Sequence, residues 1–161
     1  MTSCLVLSKL AMCPIPSYRL QLLTPEGKDA VRAVAILISS DGKVGANAAF
    51  DRLDRKEKAW FHVSFDYWRA NQVGNNRRYH GWTKSQFQGK YCGCFVFKHS
   101  QLRLYGFLYH PIKTNPRFEV CVLIHPAYKD RDETDPADLE RTLQTGTKPE
   151  VVNAIEDHFR R

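Results

Sequence analysis

The chain has 161 residues, 43% of them hydrophobic, enough to bury one core without disulfides or metals as staples. Its formal charge of +7 favours an anionic partner such as nucleic acid or an acidic protein, although a basic surface also serves solubility alone. The five cysteines are odd in number and include no CxxC pair, so neither a complete disulfide framework nor a Cys-rich zinc site is indicated, and a reducing cytoplasm is the natural setting.

Residues 1–30 read as an N-terminal extension and residues 31–161 as a single domain with a helical C-terminal extension. The apolar run before Cys13 has no basic region ahead of it, is interrupted by Lys9, and carries Met12 where a lipoprotein signal needs a small residue. No stretch approaches the roughly 18 apolar residues of a membrane span, so no membrane partner is expected. Tyr18 to Leu23 reads as a short strand, followed by a turn at Thr24 to Gly27, and Ala33 to Ser39 as the first main strand, closed by Asp41-Gly42.

From Ala46 to Asn71 the period changes. Phe50, Leu53, Phe61, Phe65 and Trp68 recur near helical spacing around a charged centre, which predicts two helices in a hairpin that cover a sheet. The breaker cluster Val73-Gly74-Asn75-Asn76 ends them. Arg77 to Lys84 (RRYHGWTK) follows as a loop in which basic and aromatic residues interleave. Cations neutralise phosphates and aromatic faces stack on unpaired bases, so Arg77, Arg78, Trp82 and Lys84 suit RNA; the alternative is a solvated basic loop with Trp82 packed on the core.

KYCGCFVFKH, LRLYGFLYHP and FEVCVLIHPAYK then read as three strands of an antiparallel meander, turning at Ser100-Gln101 and at Lys113 to Arg117. Cys92 and Cys94, two apart, are expected to face one side as small core residues. Asp135-Pro136 opens a capped helix that ends at Thr145-Gly146, and Pro149 to Phe159 forms another. The expected fold is α+β: a small antiparallel sheet with a helical hairpin on one face and helices at the C-terminus.

Lys98, Arg103, His125 and Lys129 sit inside or at the ends of otherwise apolar strands, and a charge there needs a partner or a task. Arg103 offers forked donors to a phosphate, His125 can shuttle a proton, Lys129 can stabilise charge on phosphate oxygens, and Tyr128 can stack on a base or orient a hydroxyl. The structural alternatives are a surface ion pair for Arg103, a strand-end hydrogen bond for His125, a core flap for Tyr128 and a solvated charge for Lys129. No Walker-type loop, dinucleotide fingerprint, HExxH or GxSxG is present. The remaining histidines lack ligand spacing, so neither metal nor cofactor is expected. The acids Asp130, Asp132, Glu133 and Asp135 read as favouring the positive end of the following helix.

The order strand, helical hairpin, three antiparallel strands and helix, with Arg103 before Tyr105, VCVLIHPAYK and ETDPADLER, resembles the RelE/ParE toxin superfamily, in particular its HigB-like and phage-derived branch. The likeness runs from Ala33 to Gln144 and is densest after Lys90. Asp135 between Thr134 and Pro136 departs from the pattern, as does Pro126-Ala127 where the branch has a glycine and an aromatic. The resemblance implies a type II toxin: a metal-independent endoribonuclease that cuts mRNA on the ribosome and is held by an antitoxin protein. On that footing Arg103, Lys98 and Lys129 stabilise phosphate, His125 transfers a proton, Tyr128 stacks or orients, and Arg77, Arg78, Lys84 and Lys90 hold the RNA backbone. A ParE-like inhibitor of DNA gyrase and a non-catalytic RNA-binding module are the alternatives on the same fold.

Overall fold

The computed structural model describes residues 14–27, 29–71, 75–131 and 133–160. The features read at residues 1–13, at Val73-Gly74 and at Asp132 lie outside them. The elements are β1 (Tyr18–Leu22), β2 (Arg32–Ser39), α1 (Ala46–Asp51), α2 (Arg55–Arg69), β3 (Tyr79–Gly81), β4 (Cys94–His99), β5 (Leu102–Tyr109), β6 (Glu119–Tyr128), α3 (Pro136–Gly146) and α4 (Pro149–Phe159). One sheet runs in the order β1-β2-β6-β5-β4-β3, antiparallel throughout except where β2 and β6 lie parallel. This is the expected α+β architecture. Among the described residues no helix is long and apolar enough to cross a membrane.

Helix α2 starts at Asp54, whose carboxylate accepts the Glu57 N–H at 2.8 Å while the Glu57 carboxylate accepts the Asp54 N–H at 2.9 Å. Two of the helix's orphan donors are thereby satisfied. Phe61, Phe65 and Trp68 form one stripe and bury against Val34, Ile36, Phe95, Phe97, Leu104 and Leu123. Just beyond the helix, Asn71 takes a left-handed φ of 56°, a conformation that asparagine tolerates at a helix end.

The opposite sheet face is covered too. Val151 and Ile155 of α4 pack on Leu20, Ala35, Leu37, Val120 and Val122, and Leu139 of α3 packs among Cys94, Val96, Tyr105 and Ala127. Burial from both sides explains why Ala33 to Leu37 reads as an unbroken apolar run instead of alternating.

Three features depart from the sequence reading. First, β1, from the stretch read as an extension, is an integral edge strand: it pairs with β2 from Tyr18↔Ser39 to Leu22↔Ala35 and lies against α4. Second, the stretch read as a basic loop contains β3, paired with β4 from Tyr79↔Phe97 to Gly81↔Phe95; three residues are too few to declare a period. Third, Cys92 lies ahead of β4 and is exposed, whereas Cys94 and Cys121 are buried. Burial pushes the Cys94 thiol up to about 12, so it remains an uncharged core group.

One irregularity positions the site. Tyr105 pairs with His125 and Gly106 with Leu123, so Ile124 is an extra residue in β6. Such a bulge turns the side chains that follow it to the other face. Ile124 packs against the α4 side, and His125 next to it reaches α3 on the same face. Glycine is needed at 106 because a Cβ there would lie 2.8 Å from Cys121 Sγ and from the Val122 carbonyl oxygen.

Candidate functional site

After the bulge His125, Ala127 and Lys129 follow one another on the α3 side. The His125 ring bonds through Nε2 to Asp138 Oδ1 at 2.9 Å, and Lys129 Nζ lies 2.5 Å from Asp138 Oδ2. Asp138 stands in the first turn of α3, placed there because Asp135 caps the helix by accepting the Ala137 N–H at 2.9 Å. Burial alone would raise the Asp138 carboxyl, but hydrogen bonds from Lys129 and His125 outweigh it and hold the group below its usual range. Asp138 is thus an anionic bridge that orients the imidazole and binds the ammonium. Asp138 is not singled out by the sequence, because nothing local ties the first turn of α3 to the strand that carries His125.

Arg103 pairs across the ladder with Lys98 on one side and Ala127 on the other, so all three share the face of Tyr105 and His125. The Arg103 side chain is 8% exposed, and its guanidinium donates to the carbonyls of Ser100 at 2.7 Å and Leu102 at 3.3 Å, holding the β4–β5 turn. Lys98 and Arg103, with Arg77, His80 and Gln86, line an open depression of about 650 Å³. An aromatic file flanks it: ring centroids are 4.8 Å apart for His80 and Trp82, 6.1 Å for Trp82 and Tyr105, and 6.2 Å for Tyr105 and His125. Burial, joined by the Asp138 charge, pushes the Tyr105 phenol up to about 12, so it is a neutral hydroxyl and not a base at neutral pH.

The structure therefore brings together Lys98, Arg103, His125 and Lys129, the last engaged on Asp138. Tyr128 is not in this group: paired with Leu102, it looks to the other side of β6 and is 66% exposed. Trp82 is buried within the aromatic file, between His80 and Tyr105, matching the core-packed alternative. Arg78 stacks 3.8 Å over the Trp60 ring and donates to Ser64 Oγ at 3.0 Å, which binds it to α2. Lys90 pairs with Glu140 at 2.6 Å, beside the Tyr91 hydroxyl, which donates to the same carboxylate. Arg77 and Lys84 are exposed.

His125 also lines a second hollow, of about 700 Å³, together with Lys43, Arg141 and Lys148. Those three cations were not anticipated, since they are far apart in sequence and meet only in the fold. No known protein family, characterised protein or solved structure matches the chain.

Proposed function

We propose that this protein is a metal-independent endoribonuclease of the RelE-like toxin type, cutting mRNA on the ribosome and restrained by an antitoxin. The observation that carries the proposal is the bulge in β6, which sets a carboxylate-oriented histidine on the same sheet face as Arg103 and Lys98. Transesterification of RNA needs little more than that. The ribose 2′-hydroxyl attacks the adjacent phosphorus, a P–O2′ bond forms and the P–O5′ bond breaks, leaving a 2′,3′-cyclic phosphate and a 5′-hydroxyl. With Nε2–H directed at Asp138, Nδ1 of His125 carries the lone pair that takes the 2′ proton; the departing 5′ oxygen takes a proton from water, and the hydroxide left behind recovers the proton held by His125. Lys98 and Arg103 supply the positive field for the charged phosphorane, Arg103 already oriented by its carbonyl contacts.

Lys129 acts through Asp138, as a positioning residue, and not by contact with the phosphate. Arg77 and Lys84 remain as backbone-binding cations, while Arg78 and Lys90 are committed to α2 and to Glu140. The antitoxin and the ribosome enter this proposal through the sequence resemblance.

The test is primer-extension mapping of mRNA 5′ ends in a bacterial translation extract with the intact protein, Arg103→Ala and His125→Ala. New ends inside translated codons that both substitutions abolish support the proposal. Absence of new ends with folded, antitoxin-free protein rejects it, and inhibition of gyrase supercoiling would then place the protein with the ParE-like alternative.

A further inference from the structure

The strands β2 and β6 are parallel neighbours, in register from Arg32↔Glu119 to Ile36↔Leu123, and β6 runs on past the end of β2. Beyond their carboxyl ends the chain leaves in opposite directions. β2 leads to α1 and α2 on one sheet face, and β6 leads to α3 on the other. Adjacent parallel strands whose connections part in this way leave a crevice outside their carboxyl ends, and in open α/β sheets that is where ligands bind. Here the crevice is the hollow of about 700 Å³ walled by Ile124, His125 and Pro126.

Its charge is one-sided. Lys43 comes from the loop after β2, Arg141 from α3, and Lys148 from the junction of α3 and α4, and none of the three forms an ion pair with a described residue. The single carboxylate in the lining, Asp41, accepts the Lys43 N–H at 3.0 Å. The rest of the lining is largely apolar and includes Tyr18, half-buried against the core under α4, and Ile15, which is 79% exposed. Three cations around a wall that holds an aromatic ring match a nucleotide, with phosphate to the cations and base to the ring.

Resting on the ribonuclease reading, we infer that the crevice between β2 and β6 is a nucleotide subsite. It takes one phosphate of a single-stranded RNA on Lys43, Arg141 and Lys148, and its base against Tyr18. His125 lines this subsite and shares its sheet face with Arg103 and Lys98, so a strand bound in the crevice and continuing over that face passes the imidazole with cations on both sides. The subsite also accounts for the site's asymmetry: Nε2 of His125 belongs to Asp138, and the ring forms part of the crevice wall.

The test is fluorescence anisotropy with a 2′-O-methylated single-stranded oligoribonucleotide, which binds without being cut. The proteins are wild type, the triple variant Lys43→Ala/Arg141→Ala/Lys148→Ala, the charge-preserving Arg141→Lys/Lys148→Arg, and Arg117→Ala at the far end of the sheet as a charge control. All substituted side chains are exposed, and circular dichroism melting verifies that each variant folds. The triple variant should bind at least about 10-fold more weakly and lose about 0.7 of the slope of log affinity against log salt, the share of one phosphate contact on a single strand. The charge-preserving variant should bind as the wild type does, and Arg117→Ala should change little.

Equal affinity and slope for the triple variant and the wild type overturn the subsite, as does failure of the wild type to bind. A 3′-mononucleotide that competes with the oligonucleotide on wild type but not on the triple variant shows that one nucleotide suffices; competition by polymer alone assigns the crevice to the RNA chain. Parallel cleavage mapping separates the two claims. Binding lost in the triple variant with no cuts by the wild type keeps the subsite and removes the nuclease; normal binding with His125-dependent cuts does the reverse.

Discussion

A carboxylate shared between an imidazole and an ammonium, as Asp138 is between His125 and Lys129, stabilises both partners only while it is ionised. Asp138→Asn keeps the volume and removes the charge. It should cost about 1–3 kcal/mol, the penalty for leaving partly buried donors poorly matched, measured by urea denaturation at pH 7. Because the folded Asp138 carboxyl lies below its ordinary 3.8, the stabilisation is complete above that value and is lost as the pH falls through the lower folded one. The wild type's advantage over Asp138→Asn should therefore shrink as the pH falls below 3.8. If the proposed chemistry holds, the same substitution slows RNA cleavage, but less than His125→Ala, which removes the proton acceptor and should cost about 100-fold or more. At this scale the sequence was informative where a charge interrupted an apolar strand, as Arg103, His125 and Lys129 do. It was silent on Asp138, one acid in an acid-rich stretch, because its partner is fixed by a helix start that no local pattern links to the strand. Tyr128 was misleading for a related reason: period 2 sets it on the face opposite His125, away from the cluster.

Among the elements, the bulge in β6 is the one on which the site depends. Gly106→Ala forces a methyl to within 2.8 Å of Cys121 Sγ and the Val122 carbonyl oxygen, so the β5–β6 ladder must shift at the point where His125 is turned toward α3. The expected loss is about 1–3 kcal/mol in stability, together with displaced His125 ring resonances in NMR spectra; a variant with wild-type melting and spectra would show that the bulge does not constrain the ring. The capping box of α2 makes a different prediction. Asp54→Ala should lower stability by about 1 kcal/mol in chemical denaturation and leave the site's resonances in place, since α2 packs on the other sheet face. The helices and the three long strands were legible because each carries its period over many residues or is bracketed by a proline or glycine. β3 and the membership of β1 in the sheet were not, because an edge strand is defined by its neighbour, and a short polar segment such as YRLQL gives no sign of pairing with a buried strand.

At the scale of the whole molecule, the surplus of 24 lysines and arginines over 17 acids is not spread evenly in effect. Arg78, Lys90 and Lys129 are bound to α2, to Glu140 and to Asp138, Lys98 and Arg103 line one hollow, and Lys43, Arg141 and Lys148 line another together with His125. Affinity for single-stranded RNA should accordingly fall linearly with the logarithm of salt, and Arg77→Ala/Lys84→Ala should flatten that line while Lys90→Ala leaves it nearly unchanged; equal effects from all would mean that only net charge matters. In the proposed chemistry this face performs transesterification with His125 as the proton acceptor. Mass spectrometry of the fragment ends produced from mRNA in a translating extract tests it most directly. The wild type should give 2′,3′-cyclic phosphate and 5′-hydroxyl ends, and His125→Ala none. Fragments ending in 3′-hydroxyl and 5′-phosphate, or cyclic ends that persist with His125→Ala, would contradict it.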